Sequence, residues 1–461
     1  MSGVKHLDRF FSPASIAIVG ASGDHHKAGG RFVKGLLDGG YKGHIYPVNP
    51  NALDIMGLKN YKSVLDLPED IDLAILAVPA RVVPDVIAGC SIKKVKFAIV
   101  HSAGFSELGN EGKVLEKKML QLAKSGGTRI IGPNCMGLYV PSANINTIVY
   151  GAKFNPSGGV AFIGQSGWVT ENVVVLGNER GLCFSKILSI GNQSDLTIED
   201  MLEYLGEDKE TRVIALYVEG LKRGADFLNI VINVARRKPV IVWKSGRSGT
   251  GSRAASSHTG SLAGDSRVFD TVALQTGLIQ VHDMDELLDF MVGFSCPVWP
   301  KGKRVSILCE SGGGAVSGSD IAESLGLEIP TLSEKAQKEM VESLTGVIPP
   351  FAPPRNPVDI VWGPEDNPTR LFVTCSRILL GETDAIVILD YQKFGEDLAG
   401  QIAALRDEMG KPILMVPGYI TFNRPGMAVL TGLGIPSFSS PGRAIRVLAE
   451  MTRFTFRQEN S

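Results

Sequence analysis

Residues 15–30 read Ser15-Ile-Ala-Ile-Val-Gly20-Ala-Ser-Gly23-Asp-His-His-Lys-Ala-Gly-Gly30. A short, unbroken apolar run enters a glycine turn, and a helix-compatible segment follows. Such a run fits a parallel strand covered on both faces. A strand feeding glycines and then a helix start builds an anion site. Unsatisfied backbone N–H groups point outward there, and the helix dipole adds roughly half a positive charge. The layout recurs twice: Gly158-Gly-Val-Ala-Phe-Ile-Gly164 runs into Gln165-Ser-Gly167, and Arg304-Val-Ser-Ile-Leu-Cys309 runs into Glu310-Ser-Gly-Gly-Gly314. Further apolar runs at 45–48, 73–78, 97–100, 213–218, 240–243, 385–389 and 413–416 alternate with helical patterns such as 109–124. This is the βαβ rhythm of doubly wound α/β sheets.

The 461 residues correspond to about three domains at roughly 150 residues each. Breaks fall near 150 and at Cys296-Pro-Val-Trp-Pro-Lys-Gly302, which gives 1–150, 151–297 and 298–461. Five prolines in 349–357 read as a stiff internal loop. With 44% hydrophobic and 21% charged residues, the chain can build cores, which excludes wholesale disorder. Forty-seven basic against 48 acidic residues give a net charge of −1, against a broad nucleic-acid footprint. Cysteines 90, 135, 183, 296, 309 and 375 show no CxxC spacing, which argues against a zinc site or a disulfide framework and fits a reducing cytoplasm. The polar N-terminus is no signal peptide, and no apolar run approaches the ~20 residues of a membrane span.

Each glycine turn admits more than one chemistry. Gly20-x-x-Gly23 is not the dinucleotide fingerprint, and the second strand ends Pro47-Val-Asn-Pro50 without an acid for a ribose hydroxyl. A phosphate-bearing ligand fits better than NAD, and a turn that merely closes the sheet is the plain alternative. Gly164-Gln-Ser-Gly-Trp168 fails the G-x-S-x-G elbow of serine hydrolases at Trp168. There Ser166 and Gly167 would instead open a helix that receives phosphate. Three consecutive glycines at 312–314 lose much backbone entropy, which suggests a close approach to that backbone. No turn is followed by Gly-Lys-Ser/Thr, so there is no P-loop.

Residues 245–264 contain five glycines, six serines, two threonines and three alanines, around the single His258. Such a segment buries little apolar area and is expected to be mobile, and Arg247 and Arg253 would travel with it. A histidine in a polar loop is commonly solvated and idle. Here it follows a strand end, where α/β sites lie, and imidazole is a nucleophile near neutral pH when one nitrogen is free. Glu219, just past the run 213–218, could hold the other nitrogen, or be an ordinary strand-end carboxylate.

Together these residues resemble the alpha subunit of ADP-forming (NDP-forming) acyl-CoA synthetases of the acetate–CoA ligase type, relatives of succinyl-CoA synthetase. The carriers are Gly20-Ala-Ser-Gly23, Gly132-Pro-Asn-Cys-Met-Gly137, Gly164-Gln-Ser-Gly167, Tyr217-Val-Glu219-Gly220, Ser257-His258-Thr-Gly260, Ser311-Gly-Gly-Gly314 and Asn356-Pro-Val-Asp359. Each is weak alone, but the ordered set spans the chain. The resemblance implies a Rossmann-like CoA-binding domain followed by two flavodoxin-like domains of the succinyl-CoA synthetase type. It implies the reaction acyl-CoA + ADP + phosphate ⇌ carboxylic acid + ATP + CoA, through an acyl phosphate and a phosphohistidine.

On that map His258 is phosphorylated and Glu219 orients it. Gly20, Ala21, Ser22 and Gly23 hold CoA phosphate, with Lys27, Asn49, Val78, Pro79, Ala80 and Asn134 lining the CoA. Gln165, Ser166 and Gly167, with Gly313 and Gly314, would open two helices whose N-termini receive phosphate. No metal site is implied on this chain. ADP/ATP and Mg2+ are expected on an ATP-grasp beta subunit, in an alpha2beta2 heterotetramer. Trp168, and the lack of a tyrosine shortly after it, depart from succinyl-CoA synthetase and leave the acyl group open. A non-catalytic CoA-binding regulatory protein is the alternative, opposed by the presence of both His258 and Glu219.

Overall fold

The computed structural model describes residues 7–68, 70–149, 151, 153–253, 265–345, 354–360, 368–391, 396–418 and 420–459. The chain divides into two compact units, one of residues 1–178 and 183–284, the other of 179–182 and 285–461.

The first unit holds two large sheets. The first comprises β1 (Ser15–Val19), β2 (His44–Val48), β3 (Leu73–Leu76), β4 (Phe97–Val100) and β5 (Arg129–Ile131), all parallel, in the order β2-β1-β3-β4-β5. Side-chain alternation sends Ile16, Ile18, Leu73, Ile75 and Ile99 into one core, and Ala17, Val19, Ala74, Leu76 and Val100 into another. Burial on both faces is why these strands read as unbroken apolar runs.

The second sheet comprises β6 (Gly137–Val140), β7 (Ile145–Asn146), β8 (Val160–Gly164), β9 (Phe184–Ser189), β10 (Val213–Val218), β11 (Val240–Lys244) and β12 (Ile279–Val281), in the order β12-β11-β10-β8-β9-β6-β7. Strands β8 to β12 pair in parallel, whereas β6 pairs antiparallel with β9 and with β7. Residues 137–146, grouped by the sequence with the first part, therefore extend the second sheet. One core runs through both sheets, joining Ile16 and Ile75 to Ile163, Leu188, Ile214 and Val242. The sheets are also tied by Arg129, bidentate to Asp195 at 2.9 and 3.0 Å, and by Phe11 stacked on Tyr204 at 5.1 Å.

The second unit carries a four-stranded parallel sheet of β13 (Val305–Cys309), β14 (Val358–Asp359), β15 (Ala385–Tyr391) and β16 (Ile413–Pro417), in the order β14-β13-β15-β16. Buried Asn356 secures it, accepting from Ile307 N at 3.0 Å and donating to the Val305 and Pro330 carbonyls at 2.9 and 3.1 Å. No helix among the described residues is long and apolar enough to cross a membrane.

Each sheet has one strand after which the chain's direction of travel reverses: β1, flanked by β2 and β3; β8, flanked by β9 and β10; and β13, flanked by β14 and β15. Each runs into a glycine-rich turn and then a helix: α1 (Ala28–Asp38), α2 (Gly167–Glu179) and α3 (Gly312–Ser324). Helix α1 shows how closely the glycines are used. A Cβ on Gly29 would lie 2.0 Å from the Gly20 carbonyl oxygen, whereas one on Gly23 would meet nothing within 4 Å. Gly29→Ala gains about 1 kcal/mol of helix propensity but collides with backbone that cannot swing aside. Net destabilisation of about 1–3 kcal/mol is expected, read as a lower urea midpoint, while Gly23→Ala stays within about 0.5 kcal/mol of the parent.

Candidate functional site

Where strand order reverses, the loops leaving neighbouring strands diverge and open a crevice at the carboxyl ends. In the first sheet this crevice is framed by the 20–23 turn. Gly20 has φ +86°, and a Cβ there would lie 2.4 Å from the Ala77 carbonyl oxygen. That glycine therefore lets β1 exit past the end of β3, where Val78, Pro79 and Ala80 follow. The Gly20 and Ala21 backbone amides donate to Val48 O at 3.0 and 3.3 Å, and the Asn49 side-chain Nδ2 donates to Ala21 O at 2.8 Å. Asn49 also accepts from Asn51 N at 2.9 Å, so the side chain standing where a dinucleotide fold keeps its ribose-binding acid holds the turn together.

Ser22 accepts from Asp24 N at 3.1 Å, and Asp24 from His26 N at 2.9 Å. Lys27 precedes α1 in an extended conformation, and no side chain caps the helix. The first amides of α1 thus stand at an open turn beside Lys27.

Asn134 sits past β5 in the left-handed region, φ +59°, its amide donating to Ser102 O at 3.0 Å. The Ser102 hydroxyl in turn donates to Val78 O, so Asn134 and 78–80 belong to one cluster. Pro133 O accepts Asn192 N at 2.9 Å, which carries the cluster to the second sheet. Asn192 also donates to Glu107 at 2.6 Å. Burial acts to raise the Glu107 carboxyl, but the Gly104 and Phe105 amides and Asn192 outweigh it and hold it below its ordinary value. Next to them, burial lowers the His101 imidazole, and its Nδ1, 2.8 Å from Cys135 O, carries the proton that this carbonyl accepts.

In the second sheet the crevice lies past β8. Gln165 is buried, its amide donating to Tyr217 O at 3.2 Å, and its Oε1 accepts both Glu219 N at 2.5 Å and Gly220 N at 3.0 Å. Ser166 caps α2: its carbonyl accepts Thr170 N at 3.0 Å, and its hydroxyl accepts Val169 N at 3.4 Å. Gly167 opens the helix against Met136, whose Cγ stands 2.8 Å from where a Cβ would be, so a larger residue would have to displace that side chain. Trp168, in that same turn, is 66% exposed.

Glu219 is buried at the end of β10, and three residues not anticipated from the sequence fix its turn. Gln193, at φ +57°, donates to Gly220 O at 3.2 Å and accepts Ile198 N at 2.8 Å. Glu199, fully buried, accepts Lys222 N at 3.1 Å and Arg223 N at 2.8 Å. Lys244 donates to Glu219 O at 2.9 Å and to Ser245 O at 2.5 Å.

His258 lies outside the described residues. The start of its segment is anchored: Ser245 N donates to Val218 O at 3.0 Å, and Arg247 reaches Asp270 at 2.8 Å and Gln280 at 3.1 Å. Arg247 is therefore fixed to the body of the unit, contrary to the expectation that it travels with the loop. Arg253 reaches Thr250 at 3.3 Å.

In the second unit, Ser311 caps α3 by accepting Gly314 N at 3.3 Å, and a Cβ on Gly313 would meet nothing within 4 Å. Packing therefore does not demand glycine at 313.

A family model described as a CoA binding domain matches residues 14–141, and one described as a succinyl-CoA ligase like flavodoxin domain matches 157–294. The chain is 38% identical over 448 residues to the alpha subunit of acetate–CoA ligase (ADP-forming) II of Pyrococcus furiosus, covering 94% of this chain and 95% of that one. It is 34% identical over 463 residues to the isoform I alpha subunit from the same organism, covering 97% and 98%. Among solved structures, it is similar to a dinucleotide-forming acetyl-coenzyme A synthetase 1 of Candidatus Korarchaeum cryptofilum in complex with phosphate and ADP. That match has a TM-score of 0.87 and 32% identity over 98% of each chain. Near-complete coverage at this identity, on a fold with all three reversal-point turns, means that the chain belongs to the ADP-forming acetate–CoA ligase family as an alpha-subunit-type member.

Proposed function

We propose that the chain is the catalytic alpha subunit of an ADP-forming acyl-CoA synthetase, interconverting acyl-CoA, ADP and phosphate with a carboxylic acid, ATP and CoA. The observation that carries this reading is the placement of Glu219. A buried carboxylate stands at the reversal point of the second sheet, its backbone held by Gln165 and Lys244. The segment leading to His258 leaves the neighbouring strand end at Ser245.

In this reading a phosphate oxygen attacks the thioester carbonyl. The C–S bond breaks, CoA leaves as the thiol, and an acyl phosphate forms. Nε2 of His258 then attacks phosphorus, the P–O bond to the acyl group breaks, and the carboxylate departs. Glu219 holds the Nδ1 proton of His258, which keeps Nε2 free as the nucleophile. The phosphoryl group passes finally to ADP, held with Mg2+ on an ATP-grasp beta subunit, in an alpha2beta2 assembly. The opening amides of α2, from Ser166 and Gly167 onward, with the Gln165 turn behind them, and those of α3 at Gly313 and Gly314, supply anion-binding donors.

CoA occupies the first reversal point. The residues there suit it: the uncapped start of α1, Lys27, and the space above Gly23 fit a pyrophosphate, while 78–80 and Asn134 form the facing wall. The division of labour proposed is CoA binding on residues 1–150, the histidine segment on 151–297 and a second ligase-type part on 298–461. An NAD-dependent reading is disfavoured because Asn49 is committed to the turn.

Three outcomes test the reading. Gly23→Asp has room to fold, since no atom lies within 4 Å of the new Cβ. Its carboxylate would stand near CoA phosphate at a cost of about 1–4 kcal/mol at 4 Å, so titration should show CoA affinity at least about fivefold weaker. Glu219→Gln should lower the phosphohistidine formed from acetyl-CoA and phosphate by at least about tenfold, with CoA affinity unchanged, and His258→Ala should abolish the acid-labile label. Label on another residue, or a fully labelled Glu219→Gln, refutes the assignment. Finally, the purified chain without a partner should make no ATP from ADP.

A further inference from the structure

We infer that Lys244 is a positioning residue of this reaction: its buried ammonium cross-links the turn bearing Glu219 to the root of the histidine segment and supplies the positive charge that lets a carboxylate stand beside a phosphorylated imidazole. The inference rests on the assignment of Glu219 as the orienting carboxylate.

Lys244 ends β11 and is 5% exposed. Its Nζ donates to two carbonyls, Glu219 O at 2.9 Å and Ser245 O at 2.5 Å. These are the first residues beyond two neighbouring strands, β10 and β11, whose register runs Val218 opposite Lys244. One end leads into the Glu219 turn. The other leads into the segment on which His258 lies 13 residues beyond Ser245. One ammonium thus fixes the spacing between the roots of both partners.

Plain packing does not explain a lysine here. An ammonium taken out of water and given neutral carbonyls as bonding partners is costly, and an apolar side chain of similar volume commonly does as well or better. The charges acting on it are specific. Burial lowers its pKa, the Glu219 carboxylate raises it, and Arg247 lowers it. Arg247 is turned toward Asp270. Lys244 therefore shares its buried environment with Glu219 as the opposite charge.

That pairing answers a difficulty in the proposed chemistry. A phosphoryl group on His258 brings close to two negative charges toward a carboxylate. Against a bare carboxylate it would be repelled. With an ammonium held at the Glu219 backbone carbonyl, part of the repulsion is offset, and the α2 amides act on the phosphoryl group against a weaker opposing field. Tyr217, two residues before Glu219, adds no charge: burial pushes its hydroxyl up and Glu219 adds to the shift, outweighing the Ser245 hydrogen bond, so it stays neutral.

The test is a double-mutant cycle on phosphohistidine formation from acetyl-CoA and inorganic phosphate, with CoA affinity measured in parallel. Lys244→Met is expected to slow labelling at least about tenfold, with CoA binding within twofold of the parent. Lys244→Arg, which restores the charge, should recover most of the rate. Lys244→Gln, which restores donors without charge, should not. In Glu219→Gln, adding Lys244→Met should cost less than about twofold more, because the charge it offsets is gone. If Lys244→Met does not fold, the Arg and Gln variants decide the question alone. Normal labelling in Lys244→Met, recovery in Lys244→Gln, or fully additive losses in the double variant would overturn the inference. A slow Glu219→Gln beside a normal Lys244→Met would sink the role of Lys244 alone, whereas a normal Glu219→Gln would remove the reading on which it rests.

Discussion

One side-chain oxygen holds the second reversal point together. Gln165 Oε1 accepts the amides of Glu219 and Gly220, joining the loop after β8 to the loop after β10 where the two diverge. Each bond contributes about 0.5–1.5 kcal/mol net, but leaving a buried amide unsatisfied costs about 1–3 kcal/mol. The constraint is therefore steeper on loss than its own strength suggests. It also explains why glutamine stands here: a glutamate of the same length would add a second negative charge beside Glu219, and a shorter asparagine would stop one methylene short. From that contact the rest follows, with Gln193 taking the Gly220 carbonyl, Glu199 the Lys222 and Arg223 amides and Lys244 the Glu219 carbonyl.

The glycines that mark the three turns do two different jobs, and geometry separates them. Gly20 and Gly29 are demanded by the protein itself, since a Cβ would strike the backbone oxygens of Ala77 or Gly20. Gly23 and Gly313 are demanded by nothing in the described structure, for a Cβ there meets open space. A glycine that packing does not require, at the mouth of a reversal point and beside a helix start, is where a ligand's phosphate can approach the backbone. Sequence alone shows both kinds as the same letter.

That distinction marks how far the sequence could be read. Strands such as β1 and β10 were legible because burial on both faces leaves no polar residue to interrupt them. Strand β9 was not, because Ser185, Lys186 and Ser189 break its pattern. Each is buried with a partner from elsewhere: Thr211 at 2.8 Å, Asp208 and Glu210 at 2.7 Å each, and Met136 N at 3.0 Å. Strands β6 and β7, the last two of that sheet, escaped for a related reason, being short and recruited by the second sheet across the expected boundary near 150. Of the site, the glycine turns and Glu219 were visible from their position after apolar runs. Gln193, Glu199 and Lys244 were not, because what they bind is backbone 23–27 residues away in sequence.

The buried charges of the second sheet show the same division between stability and function. Toward the amino ends of the strands, Lys186 meets Asp208 and Glu210 side chain to side chain. Burial acts to raise the Asp208 carboxyl, but Lys186 and Thr211 outweigh it and hold it below its ordinary value. Charge there cancels locally and points at nothing. At the carboxyl ends, Glu199 and Lys244 bond backbone amides and carbonyls instead. A charge bound to backbone is fixed in place by groups that carry no net charge, so its position relative to whatever enters the crevice is set by the fold. The sheet thus confines self-compensating ion pairs to the end where the fold needs no ligand. It keeps its backbone-bound, rigidly held charges at the end where strand order reverses and a phosphoryl group would arrive.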